Sequence, residues 1–119
     1  MLATKAYPSR YMKAADLISG KKRRKAFIIL DAQMESLGEE EKPVVLFEGE
    51  AKGLVCNKTN WNTLTELFGV ETDDWSGNKV VLMATKVDFQ GKSVDGIRVD
   101  FDATQDLASA EEDPIQMNH

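Results

Sequence analysis

Hydrophobic residues along this chain come in short blocks separated by turn-forming or charged residues, a spacing that predicts strands more often than helices. The first block is Ala26-Phe27-Ile28-Ile29-Leu30. Period-two alternation puts Phe27 and Ile29 on one face and Ile28 and Leu30 on the other. A strand apolar on both faces is buried on both, or curves within a barrel. It extends to about Met34, and a turn over 38–43 follows. Val44-Val45-Leu46-Phe47 reads as a second strand. The connection Glu48-Gly49-Glu50 leads into a third over 51–56, with Gly53 marking a bend or bulge, so the two form a hairpin.

One helix interrupts the strands. Trp61, Leu64 and Phe68 recur at helical spacing, with Leu67 beside them, and form a single apolar face. Asn60 is the predicted N-cap, and Thr63 with Glu66 offers an alternative capping box one turn on. Gly69 supplies the left-handed stop. At about two turns such a helix depends on tertiary packing. Beyond a turn over 73–78, a long strand at 79–89 and a returning strand at 93–101 flank the loop Gln90-Gly91-Lys92. In the returning strand Ile97, Val99 and Phe101 face one way, Arg98 and Asp100 the other.

These elements predict a mainly β domain over residues 11–101, five strands in the order β-β-β-α-β-β. That is the order of an OB-fold-like five-stranded barrel with a short helix between strands 3 and 4. An open α+β sheet is the rival. Residues 1–10 read as a flexible arm, with one helical turn near Tyr11–Leu17. Residues 102–119 read as an acidic, disordered tail.

Charge changes the picture more than composition does. The chain of 119 residues has a net charge of −5, but residues 1–60 carry 11 Lys/Arg against 8 Asp/Glu, and residues 61–119 carry 4 against 12. The basic run Lys21-Lys22-Arg23-Arg24-Lys25 is either a solvated loop or an edge that contacts phosphates. On the second reading Lys22, Arg23, Arg24, Lys52, Lys58, Lys86 and Arg98 are the phosphate contacts. Tyr11 and Phe89 are the stacking platforms that single-strand binding needs. Trp61 reads as core and Trp75 as a lid at the barrel end. The acidic tail either solubilises the chain, competes for a cationic groove, or recruits replication or recombination proteins.

Catalytic chemistry has little to build on. The one histidine is His119, so no histidine-based triad or dyad is expected, and one cysteine with one histidine makes no zinc set. No phosphate-binding glycine motif occurs. The carboxylate pairs at 73/74, 100/102 and 111/112 read as solvated charges, and the expectation is a non-enzyme with no cofactor. Cys56, in an apolar strand, reads as a buried small hydrophobe rather than a reactive thiol. One cysteine, no span-length apolar run and no apolar core near residue 1 point to a cytoplasmic protein without a membrane role.

The stretch KGLVCNKTNWNTLTELFG, followed by DDWSGNKVVLMATKVDFQGKSVDGIRV, resembles small bacteriophage and prophage proteins whose layout is similar to phage OB-fold single-stranded DNA-binding proteins. The resemblance covers about residues 10–101. It implies an OB fold and a DNA replication or recombination context, in the host cytoplasm if phage-encoded. The acidic loop Glu39-Glu40-Glu41 departs from the basic loops usual in such binders. The tail ends Gln116-Met117-Asn118-His119, without their aromatic terminal residue. The expected function is therefore single-stranded DNA binding with little sequence preference. The alternative is a protein-interaction module with no nucleic-acid role, and scattered carboxylates alone would support a metal-assisted nuclease. Exposed barrel edges also allow a homodimer.

Overall fold

The computed structural model describes residues 10–116. Five strands, β1 (Arg24–Leu37), β2 (Glu40–Phe47), β3 (Leu54–Val55), β4 (Lys79–Phe89) and β5 (Lys92–Val99), form one antiparallel sheet in the order β3-β2-β1-β4-β5. Helix α1 (Lys58–Phe68) lies between β3 and β4, and α2 (Phe101–Gln116) follows β5. The predicted mainly β architecture and the helix position are present.

The expected barrel closure is not. Among the described residues β3 and β5 are not hydrogen-bonded to each other, so the sheet is open. Two devices occupy the seam instead. Residues 10–12 run parallel beside Gly53, with Met12 N–H donating to Gly53 O at 2.8 Å and Gly53 N–H donating to Arg10 O at 3.0 Å. A Cβ at Gly53 would stand 2.9 Å from Val44 Cγ1 and 3.1 Å from Val45 O, so glycine lets this segment lie close against β2. From α1, buried Asn60 bonds to the outer edge of β5: its nitrogen donates to Ile97 O at 2.9 Å and its oxygen accepts from Val99 N–H at 3.1 Å.

The predicted cap needs correction for the same reason. Asn57, not Asn60, is the N-cap of α1, its side chain accepting from Asn60 N–H at 2.8 Å. Both asparagines are cap-competent, but the one projecting toward β5 is spent on the strand edge. Gly69 ends the helix at φ 98°, as its position predicts.

Residues 102–116, predicted as disordered tail, belong to helix α2. The Asp100 carboxylate accepts from Ala103 N–H at 3.0 Å and starts the helix in the manner of an N-cap. One turn on, buried Thr104 lends its hydroxyl to Val81 N–H at 3.0 Å, on β4. The helix is docked by completing the ladder where β5 stops. The arm predicted at 1–10 lies, up to residue 9, outside the described residues. The short 3-10 turn Ala14–Leu17 realises the turn predicted near Tyr11–Leu17.

The core sits on one face of the sheet. Phe27, Ile29, Val45, Phe47, Leu82, Ala84 and Val99 meet Leu17, Leu64 and Trp75 there. Trp75 is no lid but fully buried, its indole N–H donating to Gly69 O at 2.9 Å and its ring 4.8 Å from that of Trp61. Leu30, on the face opposite Phe27 and Ile29, is 51% exposed, so of the two expectations for β1, burial on both faces does not hold; a register shift between Ile29 and Asp31 then brings Ala32 rather than Asp31 to the core. No helix among the described residues is long and apolar enough to cross a membrane.

Candidate nucleic-acid interface

Strand register decides which of the predicted contacts share a surface. Arg24 pairs with Met83, and Met83 pairs with Arg98, so these three stand side by side across β1, β4 and β5. Further along the same face come Val87 opposite Val94 and Phe89 opposite Lys92. Phe89 is 60% exposed. The turn beyond it, Gln90-Gly91, has φ of 51° and 77°, the left-handed pair of a type I′ hairpin. The outward face of this ribbon thus combines Arg24, Arg98, Lys92 and an exposed phenylalanine.

The opposite face of the ribbon carries Lys86 and Asp95, which are direct cross-strand partners in line with core residues Ala84 and Leu82. Arg23 joins them where β1 begins. Its Nε donates to Ala84 O at 3.2 Å, and its Nη2 reaches Asp95 Oδ1 at 2.8 Å. Lys86 Nζ reaches the same oxygen at 3.2 Å. The Lys86 and Arg23 ammonium and guanidinium groups hold the Asp95 carboxyl below its ordinary range.

The last backbone bond between the β1 segment and β4 runs from Ala84 N–H to Arg23 O at 2.8 Å. Beyond it, Thr85–Phe89 pair only with β5 among the described residues. Beside this free edge lies a shallow depression of about 360 Å³ lined by Arg23, Arg24, Met83, Ala84, Thr85 and Lys86. It joins the two faces, and Lys22 precedes it in an exposed turn closed by mutual Ser19–Lys22 backbone bonds of 2.9 Å. Arg24 Nε also binds Asp100 at 2.6 Å. Burial pushes the Asp100 carboxyl up, but the Ala103 N–H and Arg24 outweigh it and leave it below the usual range.

Arg98 and Phe89 also line an open cleft of about 530 Å³ along the β3–β5 seam, with Asn57, Asn60 and Met12. Lys58, in the first turn of α1, is exposed near its entrance residue Asn57. The remaining predicted contacts lie elsewhere. Lys52 is bound to Asp16 at 3.2 Å, beside the 3-10 turn. Tyr11 is half-buried against the first hairpin, its hydroxyl donating to Glu35 at 2.6 Å. That bond to a carboxylate raises the Tyr11 phenol above its ordinary value. Tyr11 is thus held against the first hairpin while Phe89 lies at the tip of the second, and the two form no joint platform.

Sequence reasoning missed the ion pairs. Arg23 and Asp95 are 72 residues apart and Arg24 and Asp100 are 76 apart, so only the register of β4 and β5 could have revealed them. Lys92, expected in a three-residue loop, is the first residue of β5, because the turn is only Gln90-Gly91 and sets Lys92 opposite Phe89. Among the described residues no group of three acidic, cysteine or histidine side chains is placed to hold a metal ion.

No family model matches the chain, and no curated protein and no solved structure matches it.

Proposed function

We propose that this chain is a non-enzymatic module that binds single-stranded DNA with little sequence preference, built on an OB-type sheet left open between β3 and β5. The strand order β3-β2-β1-β4-β5, with its helix between β3 and β4, supports the OB-type assignment. The observation that carries the functional reading is the depression at the free edge of β4, where Arg23, Arg24 and Lys86 converge beside the Arg24–Met83–Arg98 row.

Backbone phosphates are recognised by clustered cations and bases by exposed rings, whatever the sequence of the strand. Here Arg23 and Lys86 meet at Asp95, Arg24 binds Asp100, and Arg98 stands in the Arg24–Met83 row, so four cations face two carboxylates although the chain is acidic. Phe89 at the hairpin tip is the stacking residue. A replication or recombination role, with α2 offering acidic residues to partner proteins, accords with this reading.

Anisotropy of a labelled dT oligonucleotide, titrated against the same length of duplex at two salt concentrations, tests it. Saturable binding that favours the single strand and weakens as salt rises is the expected result. No binding at low salt would return the basic run to a solvated loop and favour the protein-interaction alternative.

A further inference from the structure

Two cations of the basic depression converge on a single oxygen. Arg23 Nη2 lies 2.8 Å and Lys86 Nζ 3.2 Å from Asp95 Oδ1. Charge-assisted donors aimed at one anionic oxygen are the arrangement that a phosphate oxygen also takes. Arg23 does not depend on Asp95 for its position, because its Nε is anchored to Ala84 O at 3.2 Å. The carboxylate is accessible: the Arg23, Lys86 and Asp95 side chains are 44%, 67% and 37% exposed. Exposed ion pairs contribute little to stability, so replacing the carboxylate by another anion costs little.

We propose that Arg23 and Lys86 form a subsite for one phosphate group, and that Asp95 occupies it as an internal competitor in the free protein. An incoming phosphate takes the place of the Asp95 carboxylate, and Asp95 swings to solvent. This rests on the single-strand reading for the source of the phosphate, a strand phosphodiester, but the subsite chemistry would accept inorganic phosphate too. Asp95 thereby sets how tightly the depression holds a strand and how steeply that depends on salt.

The test is Asp95→Asn, which keeps the shape and removes the charge. With a labelled dT oligonucleotide, the variant is expected to bind roughly 3- to 10-fold more tightly at low salt, with a log–log salt slope steeper by about 0.7, the contribution of one more neutralised phosphate on a single strand. In an Arg23→Gln/Lys86→Gln background the same change is expected to have no effect. Nitrogen-15 spectra that resolve the Arg23 Nε–H signal, recorded with inorganic phosphate, form the second arm and also report whether the variant is folded. A phosphate-dependent shift of that signal in Asp95→Asn, larger than in the wild type, supports the subsite even if no oligonucleotide binds, and would then place the failure in the single-strand reading. An unshifted Arg23 signal overturns the subsite, as does unchanged dT affinity and slope where the wild type binds dT.

Discussion

Asn60 treats Val99 as a neighbouring strand would. Its side-chain oxygen accepts the Val99 N–H at 3.1 Å, while its nitrogen donates to Ile97 O, two residues earlier on the same edge. One amide side chain from a helix thus satisfies the β5 edge that a closed barrel would satisfy with β3. Asn60 is only 2% exposed, so no water replaces it. Asn60→Ala is expected to cost roughly 2–4 kcal/mol, since a buried backbone group left without its partner costs about 1–3 kcal/mol. Urea unfolding at neutral pH measures it, and a loss below 0.5 kcal/mol, about the scale of an ordinary surface change, would show that the edge is satisfied some other way.

Thr104 plays the corresponding part on β4, accepting from Val81 N–H at 3.0 Å. Thr104→Val keeps the shape and removes the acceptor, and is expected to destabilise by about 1–3 kcal/mol. Hydrogen exchange of the Val81 amide should accelerate in the variant more than that of core amides such as Leu82. Uniform acceleration would mean that α2 contributes no local protection.

How far the sequence led can be judged at these residues. Period-two blocks located the strands, and Gly69 located the end of α1, because those signals are local. The hairpin of β1 and β2 runs further than the pattern indicates, since Glu35, Ser36, Glu40 and Glu41 are polar strand residues that extend past the core. Nothing local separates Asn60 from Asn57, three residues away, so the sequence alone does not tell the cap from the residue that bonds β5. The helix over 101–116 looked like tail because its apolar content is low. Its anchors are a capping aspartate and a threonine hydroxyl, whose value depends on where β5 ends. In the candidate site, the cations were legible but their carboxylate partners and their division between two ribbon faces were not.

Acid should loosen the molecule through Asp16 and Asp100, whose carboxyls lie below the ordinary 3.8. A depressed folded-state value means the unfolded chain binds protons first, so the stabilisation is complete above about pH 5 and is lost as pH falls through 3.8 and below. Asp100→Asn retains a capping side chain but loses the charge facing Arg24. Its stability curve between pH 5 and 2 is expected to be flatter than that of the wild type. Parallel curves would show that the Arg24 pair contributes nothing to the pH dependence.

Burial pushes the Cys56 thiol up to about 12, so no reactive thiolate forms near neutrality. Ellman's reagent should leave the native protein unmodified and titrate one thiol per chain in urea. Rapid native labelling would contradict the burial of Cys56 in the core.

Single-strand binding at the basic depression is tested by the salt-dependent affinity of a labelled dT oligonucleotide for the wild type and for Lys22→Glu/Arg23→Glu/Arg24→Glu, after circular dichroism shows that both are folded. Wild-type binding that weakens with salt, with at least a roughly 10-fold loss and a shallower slope in the variant, is the predicted result. Equal affinity and equal slope in the two proteins would contradict it.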